Sequence, residues 1–196
     1  MARQLSARIA AGENPLALLE ACRQGMTLVG ERYQQGTYFL SELLLAAESF
    51  KAAAAMLEPH LAASRGIEPR GRVVLATLKG DIHDLGKNIL ATLLRAQGFE
   101  VHDLGVDVPA AVLVRKVEEI QPQFVGFSAL LTTVFQSMKQ AADLLEWAGL
   151  RNRIKLMVGG GVTTSSVKEY VGADFQSTDA MDGVNFCLDV TAGRRV

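Results

Sequence analysis

The chain has 196 residues, 49% hydrophobic and 21% charged, with a formal net charge of -1. That balance excludes a disordered or collagen-like chain, and it lacks the cationic excess with which proteins grip nucleic acid. No apolar run approaches the length of about twenty residues that spans a bilayer. The opening MARQLSARIAAGENP holds no apolar core of signal-peptide size, so a cytoplasmic protein is expected.

The first 60 residues carry a helical rhythm. A short helix is predicted over residues 2–10. Asn14 and Pro15 form an N-cap and first-turn pair that opens LALLEACRQGMTLVGERYQQG, a stretch expected to break near Gly25. Gly36 punctuates the chain before TYFLSELLLAAESFKAAAAMLEPH, rich in Ala and Leu, and Pro59 is expected to stop that helix. About four helices result, enough for a small bundle over residues 1–60. The segment LAASRGIEPRG, between Pro59 and Pro69, has the composition of a linker, placed at 61–71. Cys22 and Cys187 lie in separate amphipathic segments, and no CxxC or CxxH spacing exists. They read as buried thiols, and the usual ligands of a zinc site are missing.

From Arg72 the rhythm changes to short β runs: RVVLATL, FEVHDLG, FVGFSAL, KLMVGG and a weaker ADFQS. Helical patterns lie between and after them at Lys87–Gln97, Pro109–Ile120, Val134–Ala148, Ser165–Val171 and Met181–Val190. Alternating strands and helices over 72–196 predict an α/β domain with a doubly wound five-stranded parallel sheet. The flavodoxin/Rossmann-like order 2-1-3-4-5 is expected, with a ligand beyond the carboxyl ends of the strands. Trp147 is read as core or edge packing on its helix, and His60 and His102 as surface or linker residues.

The unusual residues then converge on one edge. GDIHDLGKN follows strand one, SALLTT strand three, GGGVTTSS strand four and STDAM strand five. Asp81 stands two residues before His83, where a carboxylate fixes an imidazole's tautomer and raises the donor strength of its other nitrogen. Gly86 lets a large group pass close to the backbone. Ser128 and Thr132 offer small hydroxyls, Leu130 an apolar contact, and Gly159, Gly160 and Gly161 a gap in the side-chain wall. Asp84 and Lys87 are read either as contacts to the ligand or as an exposed helix start. One histidine is too few ligands for a protein-held metal, so a metal would arrive inside a macrocycle.

The spacing Asp81-x-His83-x-x-Gly86, followed by Ser128-x-Leu130 and by Gly159-Gly160, resembles the B12-binding domains of corrinoid proteins in methyltransferase systems and of methionine synthase. The resemblance implies cobalamin bound "base-off, His-on": the dimethylbenzimidazole tail leaves the cobalt, and a histidine replaces it as lower ligand. His83 would then be the metal ligand and Asp81 its hydrogen-bond partner, with Ile82 on the same loop. Ser128, Leu130, Thr132, Gly159 and Gly160 would line the slot for the tail, with Asp179 near its end. The stretch GERYQQGTYFLSELLLAAESFKAAAAML resembles the helical cap over the upper face of the cofactor, which carries the shielding role to Tyr33 and Leu40. The likeness runs over about residues 5–190. Two positions depart from methionine synthase: Tyr33 replaces a phenylalanine, and Val134 replaces a serine that extends the His–Asp relay.

The implied activity is methyl carriage. A non-catalytic corrinoid subunit, cycling between cob(I)alamin and methylcobalamin, would serve a substrate-specific methyltransferase and an acceptor methyltransferase, with a reductive activase as a third partner. The alternative is a cobalamin-dependent sensor, which would need a DNA-binding module that this chain has no basic helix to supply. A carbon-skeleton mutase domain would not need the cap. A flavodoxin-like binder of flavin or phosphate would need a glycine-rich phosphate loop where GDIHDLG stands.

Overall fold

A computed structural model describes residues 2–61 and 69–194 of the chain. They fall into two compact units that divide between Glu68 and Pro69. Most of the expected linker, residues 62–68, lies outside the described residues.

The first unit holds α1 (Ala2–Ala10), α2 (Pro15–Gln34) and α3 (Leu40–Leu61). Asn14 caps α2 as expected, its side chain accepting from the Leu16 N–H at 2.9 Å with Pro15 in the first turn. The start of α3 is fixed by Glu42, whose carboxylate accepts from the Phe39 N–H at 2.6 Å. Leu43, Ala47, Phe50 and Leu57 put one stripe of α3 in the core, packed with Leu5, Leu18, Leu19 and Met26. Three helices form among the described residues, where four were expected. The break at Gly25 does not occur, because one glycine costs a helix only about 1 kcal/mol and the packing of α2 on α3 outweighs it. Pro59 likewise lies inside α3, which ends at Leu61.

The second unit runs β1 (Arg72–Thr77), α4 (Leu85–Ala96), β2 (Glu100–Asp103), α5 (Ala110–Ile120), β3 (Phe124–Ser128), α6 (Phe135–Trp147), β4 (Lys155–Gly159), α7 (Ser165–Val171), β5 (Phe175–Ser177) and α8 (Ala180–Thr191). All four strand pairings are parallel, in the order β2-β1-β3-β4-β5. Central strands of a parallel sheet are covered on both faces, so β1 and β3 read as unbroken apolar runs. One face is packed by α5, α6 and α7 through Leu113, Val117, Met138, Leu145 and Val167. On the other, α4 and α8 pack together, and Phe186 of α8 meets Phe124 edge-on and stacks on Phe175 with ring centroids 4.5 Å apart.

Trp147 is 92% exposed rather than packed. The buried stripe of α6 is Met138, Ala141, Ala142 and Leu145, and position 147 falls off that stripe onto the outer surface, beside Tyr170. Cys187 is buried as expected, against Met157, and burial pushes its thiol well above the usual range, whereas Cys22 is only partly buried.

Candidate functional site

The strand register aligns the carboxyl ends of four strands. Thr77 pairs with Ser128, Ser128 with Gly159, and Gly159 with Ser177, so one row crosses the sheet from β1 to β5. Every loop singled out in the sequence leaves this row on the same side, which is where open α/β sheets hold ligands.

The loop after β1 is built around Asp81, which is 1% exposed. One carboxylate oxygen accepts from the His83 backbone N–H at 3.0 Å and lies 2.6 Å from His83 Nδ1. The other accepts from the backbone N–H groups of Leu130 and Leu131, at 2.8 and 3.1 Å. Burial alone would raise the carboxyl's pKa. The bonds from Leu130, His83 and Leu131 outweigh burial and bring it down to about 2. Asp81 is therefore an anion at neutral pH, and an anion can only accept. Nδ1 of His83 must carry the proton of that bond, so Nε2 is the nitrogen that holds the lone pair in the neutral tautomer. His83 itself is exposed, and its backbone carbonyl is held by the buried Thr77 hydroxyl at 3.1 Å. Among the described residues the Asp81 carboxylate bonds only His83 and backbone N–H groups. Val134, 1% exposed, lies in the core and has no hydroxyl to offer it.

The surroundings of His83 are apolar and open. Ile82 and Leu85 are each 71% exposed, and Leu130, Leu131 and Val106 are also exposed. A side chain at Gly86 would meet nothing within 4 Å, although this glycine sits in the first turn of α4, where helix propensity favours almost any other residue. A lone outward imidazole nitrogen, an apolar apron and an open glycine fit a broad, flat group that brings its own metal and needs one axial ligand. No cluster of three or more metal-ligating side chains exists among the described residues.

The glycines after β4 have backbone reasons. Gly160 has φ +110°, and a Cβ there would lie 2.1 Å from the Ala129 carbonyl oxygen. A Cβ on Gly159 would lie 3.2 Å from the Ser177 carbonyl oxygen. The turn is braced by Thr163, 4% exposed, whose hydroxyl donates to the Gly160 carbonyl at 2.9 Å and accepts from the Gln176 amide at 3.1 Å. Ser128 and Thr132 present hydroxyls on the same edge. Asp179 is the N-cap of α8, one oxygen accepting from the Met181 N–H at 2.7 Å. Tyr33 and Leu40 belong to the other unit, where they flank the turn between α2 and α3, and Leu40 is 39% exposed.

Asp84 and Lys87, read in the sequence as ligand contacts or an exposed helix start, differ in their surroundings. Lys87, 4% exposed, is no exposed helix start: its ammonium bonds both oxygens of Asp103, at 2.6 and 2.5 Å, and Asn88 at 3.0 Å. Asp84 accepts from the Asn88 amide at 2.9 Å. Thr163, Gln176 of β5 and Asp107 went unnoticed, since nothing local in the sequence distinguishes them from their neighbours.

Comparison with known proteins identifies the relatives of this chain. A family profile described as B12 binding domain matches residues 71–185, and a second profile of the same description matches residues 1–58. The chain is 40% identical over 179 residues to trimethylamine corrinoid protein 1 of Methanosarcina mazei, covering 90% of this chain and 83% of that protein. A solved cobalamin-binding protein from Desulfitobacterium hafniense superposes with a TM-score of 0.80 at 41% identity, over 95% of this chain and 88% of that one. The methanol:cobalamin methyltransferase complex of Methanosarcina barkeri gives a TM-score of 0.86 at 30% identity, over 96% and 72% of the two chains.

Proposed function

Because the chain belongs to the B12-binding domain family and its cofactor is a corrinoid, we propose that it carries a methyl group for a methyltransferase system, with His83 as the lower ligand of base-off, His-on cobalamin. The observation that carries this reading is the Asp81–His83 pair at the carboxyl edge of the sheet. When bound, the corrinoid supplies a cobalt nucleophile that accepts a methyl group and later releases it.

The chain's own residues have definite tasks. Asp81 keeps the proton on Nδ1 of His83 and holds the ring, so that Nε2 is the donor toward the metal. Ile82, Leu85 and Leu130 give the macrocycle an apolar seat, and Gly86 leaves it room. Ser128, Leu130, Thr132, Gly159, Gly160 and Asp179 line the slot for the displaced tail. Tyr33 and Leu40, in the helical unit, shield the upper face from water. The substrate-specific methyltransferase, the acceptor methyltransferase and the reductive activase are separate proteins. The first of these acts on a small methylated compound of the kind named for the relatives, trimethylamine or methanol.

The test is the absorption spectrum of protein reconstituted with hydroxocobalamin and desalted, beside a His83→Ala variant. Cobalamin retained with a His-on spectrum that the variant lacks is the expected result. Identical spectra, or no retention by the unaltered protein, would remove His83 from the ligand role.

A further inference from the structure

The loop between β2 and α5 does more than connect them. After β2 the chain resumes strand-like pairing beside the end of β1. Gly105 accepts from the Thr77 N–H, and Val108 both donates to the Thr77 carbonyl and accepts from the Lys79 N–H, each at 3.0 Å. Asp107, inside this return, is one of only two non-glycine residues among those described with positive φ, at +53°. That conformation is open to aspartate and asparagine at modest cost and to most other residues only with strain.

The unusual conformation points both polar groups of Asp107 at the turn that precedes His83. Its carboxylate accepts from the Gly80 N–H at 2.8 Å, and its own N–H donates to the Asp81 carbonyl at 3.0 Å. Asp81 is thus gripped from two sides. Its backbone is tied to Asp107, and its carboxylate to the N–H groups of Leu130 and Leu131 from the end of β3. His83 hangs on Asp81 between these two anchors, through a bond from its backbone and one from its ring. Only one anchor, the β3 side, is part of the site described above.

From this we infer that Asp107 is a positioning residue for the axial histidine: its two hydrogen bonds to the Gly80–Asp81 turn set where the His83 imidazole stands relative to the cobalt. The inference rests on the His-on reading and deepens it. Losing a group bonded directly to a metal ligand weakens metal affinity by about 10- to 100-fold, and Asp107 acts through such a group, Asp81, so the lower end of that range is expected. Asp107→Gly keeps the positive φ and removes the acceptor. Asp107→Asn keeps both the conformation and an oxygen that accepts from Gly80.

The experiment uses the full chain in four forms: unaltered, His83→Ala, Asp107→Gly and Asp107→Asn. Each is titrated with cobalamin and then reduced to the Co(II) state, and the axial nitrogen splitting is read by electron paramagnetic resonance. Urea unfolding of each protein without cofactor controls for folding. The expected result is binding about tenfold or more weaker in Asp107→Gly, with a diminished nitrogen signal, and behaviour near that of the unaltered protein in Asp107→Asn. Unchanged affinity and signal in Asp107→Gly would overturn the inference. So would a loss in Asp107→Asn as large as in Asp107→Gly, since the accepting oxygen would then be irrelevant. An unaltered protein whose signal matches His83→Ala would instead sink the His-on reading and this inference with it, whatever the Asp107 variants do.

Discussion

Replacing Asp81 by asparagine tests the centre of the site without reference to any cofactor. The carboxylate serves four donors, two on each oxygen: the backbone and ring of His83 on one, and the backbones of Leu130 and Leu131 on the other. An amide has a single oxygen, so one of these donor pairs must face an NH2 group. Leaving a buried donor without a partner costs about 1–3 kcal/mol, which puts the loss for the pair at roughly 2–6 kcal/mol. The depressed pKa, which reflects the same hydrogen bonds, gives a second figure. A fall from 3.8 to about 2 corresponds to about 2 kcal/mol of folding stability at neutral pH. Because the folded-state value is the lower one, this stability is fully present above the unfolded value and is lost as pH falls through the folded one. About half of it remains near pH 3. Urea unfolding of the cofactor-free protein and of Asp81→Asn, at intervals from pH 7 to pH 3, should show a difference that is constant to about pH 5 and then narrows. A difference below about 0.5 kcal/mol at pH 7, or one that widens as pH falls, would refute the account of Asp81 as a bonded anion.

Gly160→Ala places a methyl group 2.1 Å from a carbonyl oxygen at a positive φ, so cofactor-free stability should drop by about 3 kcal/mol or more in urea. Gly86→Ala should do the opposite, holding or raising stability by roughly 0.5 kcal/mol while cobalamin retention after desalting falls; equal retention would remove Gly86 from the site. Lys87→Ala removes a buried ammonium from Asp103, whose side chain is 22% exposed and keeps its bond from the Gly105 N–H, so it should cost about 1–2 kcal/mol in urea, whereas Lys116→Ala, from the exposed pair with Glu119, should cost much less. Leu40→Ala should leave unfolding within about 0.5 kcal/mol, given its exposure, yet speed the binding of cyanide to protein-bound hydroxocobalamin; an unchanged rate would speak against a shielding role.

The difference between what the chain announced and what it concealed follows from the range of the interactions involved. Strand and helix periods are local, so the five strands and the helix at Ser165–Val171 could be read directly, and the strand order followed from the fold class that their alternation implied. Asp81 and His83 are two residues apart, and their bond is equally local. Even here the sequence hid half the reason for it, because the two N–H groups that hold Asp81 ionised come from Leu130 and Leu131, some fifty positions away. Their side chains carry no mark of a backbone task. Lys87 was misjudged for a related reason: a lysine near a helix start is ordinarily solvated, and only the register of β2 beside β1 brings Asp103 within reach. Gly25 erred in the other direction, where a local preference lost to the packing of α2 on α3. Asp107 combines both difficulties, since neither its left-handed backbone nor its reach across to Gly80 is encoded in its neighbours. A candidate ligand and its nearest partner can therefore be legible in a sequence while the groups that hold that partner in place are not. Aiming is done by long-range backbone contacts, and those exist only once the sheet has closed.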